Sequence, residues 1–225
     1  MNEISSLAVI HPDAKLGQGN MIGPFSVVGP NVTIGNDNWI GSNVVLGAPP
    51  EHRGHHESSL NRRGSWLEIG SGNVIHEFTA VQEGTIEPTR IGNKAFLMAR
   101  ANVGHDCLIA DGVTLSPNVI LAGHVRIGRS ATIGMLSCIH QRTFIGAYSM
   151  VGMGSQVSRD VPPFALVVAS NRPPARIGLN EVAIERNGLS GAWSNADFLN
   201  DDEVLVNAPE EVRDALLEWR THSSR

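Results

Sequence analysis

An aliphatic residue recurs at every sixth position along most of this chain. From Ile10 the step gives Leu16, Ile22, Val28, Ile34, Ile40 and Leu46, and each of these six is followed by glycine, from Gly17 to Gly47. From Ile91 the same step gives Leu97, Val103, Ile109, Leu115, Leu121, Ile127, Ile133, Ile139, Ile145, Val151 and Val157, an unbroken run of twelve, with Ile69, Ile75 and Val81 between the two series. At this chain's aliphatic content, twelve in register by chance has a probability of roughly one in ten million.

Six is neither the 3.6 of an α-helix nor the simple two of a strand. It is the period of a coil with three short flat faces, one hexad per face and eighteen residues per turn. The expected fold is therefore an all-β solenoid, a parallel β-helix of hexapeptide repeats, with the periodic aliphatic pointing inward. Glycine after that aliphatic is expected to supply the backbone freedom the corners need. An isolated coil buries little, so stability is shared between stacked coils and the ends need caps. The twenty-two hexads make about seven coils.

The register breaks twice, each time in a manner expected of a loop thrown out from the prism. Ala48 to Trp66 carries Pro49, Pro50, His52, His55, His56, Arg53, Arg62 and Arg63, the composition of a candidate substrate lid. Gln82 to Arg90 is shorter. After Val157 the pattern stops and Pro162, Pro163, Pro173 and Pro174 punctuate the chain. Pro209, Glu210 and Glu211 start a helix expected to run to about Arg220. Residues 1–172 are thus expected to form the β-helix, with loop 48–66, and residues 173–225 a short α-helical tail that caps or braces it.

The formal charge of −5 gives no basis for gripping nucleic acid through its phosphates. The N-terminal stretch lacks the pattern of a signal peptide, and no run of about 18 apolar residues suggests an integral membrane segment, so a cytoplasmic location is expected. Cys107 and Cys138 show no C-x-x-C or zinc spacing and are expected to be small buried hydrophobes.

His105, His124 and His140 follow Val103, Leu121 and Ile139, which are eighteen residues apart and so lie one coil above another on the same face. With coils about 4.8 Å apart, three imidazoles on successive rungs fall within a patch of roughly 10 Å. A single surface histidine is usually inert, but a column of three is a candidate catalytic site. Asp106, next to His105, could fix the tautomer of the imidazole and raise its basicity, as a general base requires. Gly123 could offer an unobstructed backbone N–H to an oxyanion, although glycine in a hexad is more ordinarily a turn residue.

Clustered histidines also suggest zinc. Prisms resembling the gamma-class carbonic anhydrases use an H-x-x-x-x-H pair, and no two histidines here are five apart, so no metal ligands are assigned and zinc-dependent hydration of carbon dioxide is kept only as an alternative. Neither a G-x-S-x-G elbow nor a P-loop lysine motif occurs.

The stretch Leu97 to Arg159, with Gly104-His105-Asp106-Cys107, Leu121-Ala122-Gly123-His124-Val125 and Ile139-His140-Gln141, resembles the UDP-N-acetylglucosamine O-acyltransferases of lipid A biosynthesis. So does Asp160 to Pro163. The likeness continues through Val27-Val28-Gly29-Pro30 and faintly to Asn180 through Ser190. The resemblance implies a left-handed β-helix, a homotrimer with active sites between subunits, and a 3-hydroxyacyl donor carried on the phosphopantetheine of acyl carrier protein. It implies a sugar-nucleotide acceptor, no tightly bound cofactor and no metal. It further implies that His105 is the general base, Asp106 its support and Gly123 the oxyanion-binding position. His124, His140 and Gln141 would bind substrate, Arg186 would lie near the nucleotide, and Met153 would set the donor's chain length.

Departures from the family pattern fall on groups that would hold sugar, nucleotide or pantetheine. Asn102 stands in the substrate-binding position where a histidine is usual, Val81-Gln82-Glu83-Gly84-Thr85 replaces an Ile-His-Arg-Gly-Thr signature, Asn187 replaces a second arginine, and Ala48 to Trp66 lies in place of an Asp-Leu-Lys loop. An acyl-CoA donor with an N- or O-acylated sugar nucleotide is therefore an alternative, as is a non-catalytic β-helical scaffold.

Overall fold

The computed structural model describes residues 1–51, 66–168, 176–188, 205–206 and 208–223. Among them lie strands β1 (Glu3–Ile4) to β25 (Arg176–Leu179) and two helices, α1 (Glu181–Arg186) and α2 (Glu210–Ser223). The first twenty-four strands form three parallel sheets in which each strand pairs with the one about a coil later, a parallel β-solenoid of about eight turns. The first sheet begins at β1, the second at β2 (Val9–Ile10) and the third at β3 (Lys15–Leu16).

The periodic aliphatics form the core. Ile22, Ile40, Ile75, Leu97, Leu115, Ile133 and Val151 stack in register down the first sheet, each no more than 2% exposed. A second inward position lies two residues before the periodic aliphatics of all three sheets, filled by Ala95, Ala101, Val113, Val119, Val125 and Ala131 lower down. Higher up, Asn20, Asn38 and Asn73 occupy this position as a buried ladder: Asn38 donates its backbone and side-chain N–H groups to Asn20 Oδ1 at 3.0 and 2.9 Å, and Asn73 does the same to Asn38 Oδ1. Buried amides are tolerated because each satisfies the next.

The glycine after the inward aliphatic has a different role from the one expected. A Cβ on Gly23 would come within 2.8 Å of the Gly41 carbonyl in the next coil, so a missing side chain and not a positive φ is what Gly23 supplies, whereas Gly47 does take a φ of 81°. The corners turn two residues later, where Asp106, His124 and Arg142 have φ of 58°, 60° and 65°. Polar and short side chains tolerate this left-handed conformation best.

The two breaks are insertions into intact coils. Leu46 pairs with Val81, 35 residues on instead of 18, and Val81 with Val103, 22 on. Of the lid expected over Ala48 to Trp66, residues 52–65 lie outside the described residues. Below Val157 the coil continues where the sequence pattern had ended: Ile145 bridges Val161 and Val151 pairs with Val167, so this turn has sixteen residues and falls out of the six-residue step. The register also begins one hexad earlier than Ile10, at Ile4.

Strand β25 returns antiparallel onto β24 (Ala165–Val168). Tyr148 stacks on Phe164 at 4.8 Å, and Ile184, Val212 and Leu216 from the two helices complete a small second core against them. Asn180 caps α1 and donates its side-chain amide to the Tyr148 carbonyl at 2.8 Å. Helix α2 is fastened at its other end, where His222 meets Asp160 at 2.9 Å and Trp219 stacks on Phe144. Among the described residues no helix is long and apolar enough to cross a membrane.

Candidate active site

Strands β14 (Asn102–Val103), β17 (Ile120–Leu121) and β20 (Cys138–Ile139) are successive rungs of the second sheet. Each leads into a corner before the third sheet, and the candidate residues project from these corners. Asp106 turns one corner and His124 turns the next, and the amide of His124 donates to the His105 carbonyl at 2.8 Å. The fold thus fixes the relative height of the two histidines.

His105 Nδ1 lies 2.6 Å from Asp106 Oδ2. An ionised carboxylate only accepts, so Nδ1 carries the proton and the basic lone pair belongs to Nε2. The two imidazoles meet edge to face, with centroids 5.1 Å apart and planes at 87°, and His124 Nε2 stands 3.8 Å from Asp106 Oδ2. Burial holds His124 below its ordinary pKa against the opposing pull of Asp106, with Arg142 and His105 adding to the depression. Its neutral form is therefore favoured.

The Asp106 carboxylate is nearly inaccessible to solvent. Oδ1 accepts the backbone N–H groups of Thr85, Ile86 and Glu87 at 3.0, 2.8 and 2.8 Å, while Oδ2 accepts the Thr85 hydroxyl at 2.7 Å. Burial alone would raise its pKa. The donors from Glu87, Ile86, His105 and Thr85 outweigh that and hold the carboxyl well below the usual carboxylate range.

Gly123 lies directly against His105. A Cβ there would come within 2.6 Å of ring atoms Cε1 and Nε2. Among the described residues its N–H donates no hydrogen bond.

His140 is on the same corner, exposed, with its Nδ1–H donated to the Gln141 carbonyl at 3.1 Å. It does not join the close cluster, because it directly follows its inward residue whereas His105 and His124 lie two and three residues beyond theirs. Gln141 is also exposed, and Asn102 faces outward between Ala80 and Ile120. Met153, 65% exposed, lies across the second sheet on its other corner, between β22 (Met150–Val151) and β23 (Gln156–Val157). Arg186 lies exposed in the last turn of α1.

Of the two cysteines, Cys107 is buried, donates to the Ala122 carbonyl, and has its thiol pushed up to about 12 by burial. Cys138 is exposed, contrary to expectation. It immediately precedes the inward Ile139, and strand alternation turns it outward.

Two contributors were not singled out from sequence. Arg142, eighteen residues beyond His124, could have been found by the coil step. The donors at 85–87 are mainly backbone groups, which carry no side-chain signature.

His105, Asp106 and His124 also present three atoms within 4.8 Å that could hold a metal ion. Against this, the Asp106 oxygens already receive hydrogen bonds from Thr85, Ile86, Glu87 and His105, leaving them poorly placed to turn toward a cation.

The family model described as bacterial transferase hexapeptide (six repeats) matches residues 13–48 and 88–123. The acyl-(acyl-carrier-protein)–UDP-N-acetylglucosamine O-acyltransferase of Burkholderia orbicola is 40% identical over 127 residues, 55% of this chain and 48% of that protein. The chain therefore aligns with about half the length of the curated relatives it matches. Among solved structures, LpxA from Acinetobacter baumannii superposes with a TM-score of 0.75 at 28% identity over 96% of each chain. The UDP-N-acetylglucosamine O-acyltransferase of Moraxella catarrhalis is 30% identical over 98% of this chain and 88% of its own, with a TM-score of 0.61. With this identity sustained across nearly all of a solved relative, on the same coil, the chain belongs to the UDP-N-acetylglucosamine O-acyltransferase family.

Proposed function

We propose that the chain, as a cytoplasmic homotrimer, transfers a 3-hydroxyacyl group from the phosphopantetheine thioester of acyl carrier protein to a hydroxyl of a UDP-amino sugar such as UDP-N-acetylglucosamine, a reaction of lipid A biosynthesis. The observation that carries this reading is the His105–Asp106 pair, 2.6 Å apart, lying against a glycine whose N–H donates no hydrogen bond among the described residues. Such a corner provides a base and an oxyanion donor side by side.

His105 Nε2 removes the proton from the sugar hydroxyl as its oxygen attacks the thioester carbonyl. Asp106 holds the imidazole in the required tautomer and stabilises the imidazolium that forms. The carbonyl oxygen becomes an oxyanion and accepts the Gly123 N–H. Collapse breaks the C–S bond, and the departing thiolate takes the proton back from His105. The acyl group passes directly to the sugar, with no covalent enzyme intermediate. His124, favoured in its neutral form, adds no full positive charge beside the developing imidazolium.

In this reading residues 1–172 are the acyltransferase prism and residues 173–225 a bracing tail. Asn102, His140, Gln141 and Arg186 bind the sugar nucleotide. Met153 and His105 lie on opposite corners of the second sheet, so they meet on one acyl chain when Met153 comes from a neighbouring subunit. Exposed Phe25, Phe78, Ile120 and Leu136 on that side of the prism supply apolar surface for such an assembly.

The test is a mass-spectrometric screen of UDP- and dTDP-linked sugars against short and medium 3-hydroxyacyl donors, on acyl carrier protein and on coenzyme A. Acyl transfer to a UDP-amino sugar from the carrier-protein donor, lost by orders of magnitude in a folded His105→Ala variant, is expected. Undiminished turnover in that variant removes the general-base assignment.

A further inference from the structure

The four residues inserted into the coil between Val81 and Val103 build a binding site for an internal anion. Gly84 makes the tight turn possible, since a Cβ there would collide with the Glu87 carbonyl. Beyond it, three consecutive N–H groups, from Thr85, Ile86 and Glu87, converge on the Asp106 carboxylate, and the Thr85 hydroxyl closes on Oδ2, the oxygen that also holds His105 Nδ1. Apart from His105, Thr85 supplies the only side-chain hydrogen bond to Asp106 among the described residues.

The turn is itself secured from both sides of the preceding insertion. Glu83 N–H donates to the Ala48 carbonyl at 2.9 Å and Gly84 N–H to the Trp66 carbonyl at 2.9 Å. The buried Glu83 carboxylate accepts from Asn31 Nδ2 at 3.0 Å, and Gln82 Oε1 accepts the Glu51 N–H at 3.2 Å. A carboxylate held by this many donors has one orientation, and an imidazole bonded to it inherits that orientation.

We propose that Thr85, together with the backbone N–H groups of Ile86 and Glu87, is the positioning element that orients Asp106 and through it the His105 imidazole for proton transfer. This rests on the acyl-transfer reading of the corner. Thr85 touches neither substrate nor reacting atoms in this role. Losing its hydroxyl should impair the chemical step more than substrate binding, because the base is misdirected while the binding residues stay in place.

The experiment compares wild type, Thr85→Val, Thr85→Ala and Thr85→Ser by steady-state kinetics and by the downfield proton resonance of the His105 Nδ1–H, assigned by its loss in Asp106→Asn. Thr85→Val is expected to lower kcat by about 10- to 100-fold with KM for both substrates nearly unchanged, and to move the resonance. Thr85→Ser should restore both. Thr85→Ala carries the same expectation if the valine variant does not fold. Wild-type kcat and an unmoved resonance in a folded variant lacking the hydroxyl overturn the proposal, as does a loss that serine does not rescue. If wild type transfers none of the donors, the acyl-transfer reading fails separately, and the resonance alone then shows whether Thr85 orients the His105–Asp106 pair.

Discussion

The imidazole of His105 lies across the backbone of Gly123 so closely that a methyl group at residue 123 would press into the ring, 2.6 Å from Cε1 and Nε2. The candidate base and the candidate oxyanion donor are therefore packed against each other. Gly123→Ala must displace one of them. Overpacking of this kind costs about 1–3 kcal/mol in stability, and a displacement approaching 1 Å costs roughly 100-fold in rate. We expect a folded variant, slightly lower in Tm, with kcat reduced by about two orders of magnitude. Thermal melting and turnover measured together check this, and near-wild-type kcat would show that the contact has no part in the chemistry.

Asp106→Asn keeps the shape of the carboxylate and removes its charge. The donors from Thr85, Ile86 and Glu87 surround both oxygens, so the amide must turn an NH2 toward at least one of them. The expected penalty is about 1–3 kcal/mol in folding stability and roughly 100- to 10,000-fold in kcat as control of the His105 tautomer is lost. A variant that retained full activity would show that the 2.6 Å contact is structural only.

Much of this arrangement was legible in the sequence, for reasons tied to particular residues. The step from Val103 to Leu121 to Ile139 is eighteen, so the spacing alone places His105 and His124 on one corner. The same step does not distinguish positions within a corner, which is why His140 shares the column without joining the cluster. The last turn escaped because its inward residues, Val161 and Val167, follow a sixteen-residue coil. The insertion at 82–90 was recognisable as a loop, but its contribution is made chiefly through peptide N–H groups, which every residue except proline carries.

The pH dependence of stability should show two separable steps. His124 has a folded-state pKa below its ordinary 6.5, so below that pH the unfolded chain binds more protons and stability falls on acidification from about 6.5. Asp106 is depressed likewise: its contribution is complete above its ordinary 3.8 and is lost as pH falls below that value toward its folded pKa. Urea unfolding from pH 7.5 to 3 is expected to give a smaller upper loss that His124→Gln flattens and a steeper lower one that Asp106→Asn flattens. A His124→Gln curve parallel to wild type through the upper window would contradict the assignment.

Met153 offers a prediction about specificity instead of rate. It stands 65% exposed on the corner opposite His105, followed by Gly154 at a φ of 69°, so the turn there does not depend on the Met153 side chain. A thioether at the end of an acyl groove shortens it, and removing the side chain lengthens the groove without touching His105, Asp106 or Gly123. Met153→Gly is therefore expected to retain the wild-type rate with its preferred donor to within a few-fold and to gain activity on 3-hydroxyacyl donors longer by several methylenes. Each methylene that becomes buried favours binding by about 0.8 kcal/mol, or about fourfold in kcat/KM. Donors of graded length, compared by kcat/KM in wild type and variant, make the test. If the optimum does not move, Met153 packs against a neighbour without meeting the acyl chain, and the chain-length limit must be sought elsewhere along the second sheet.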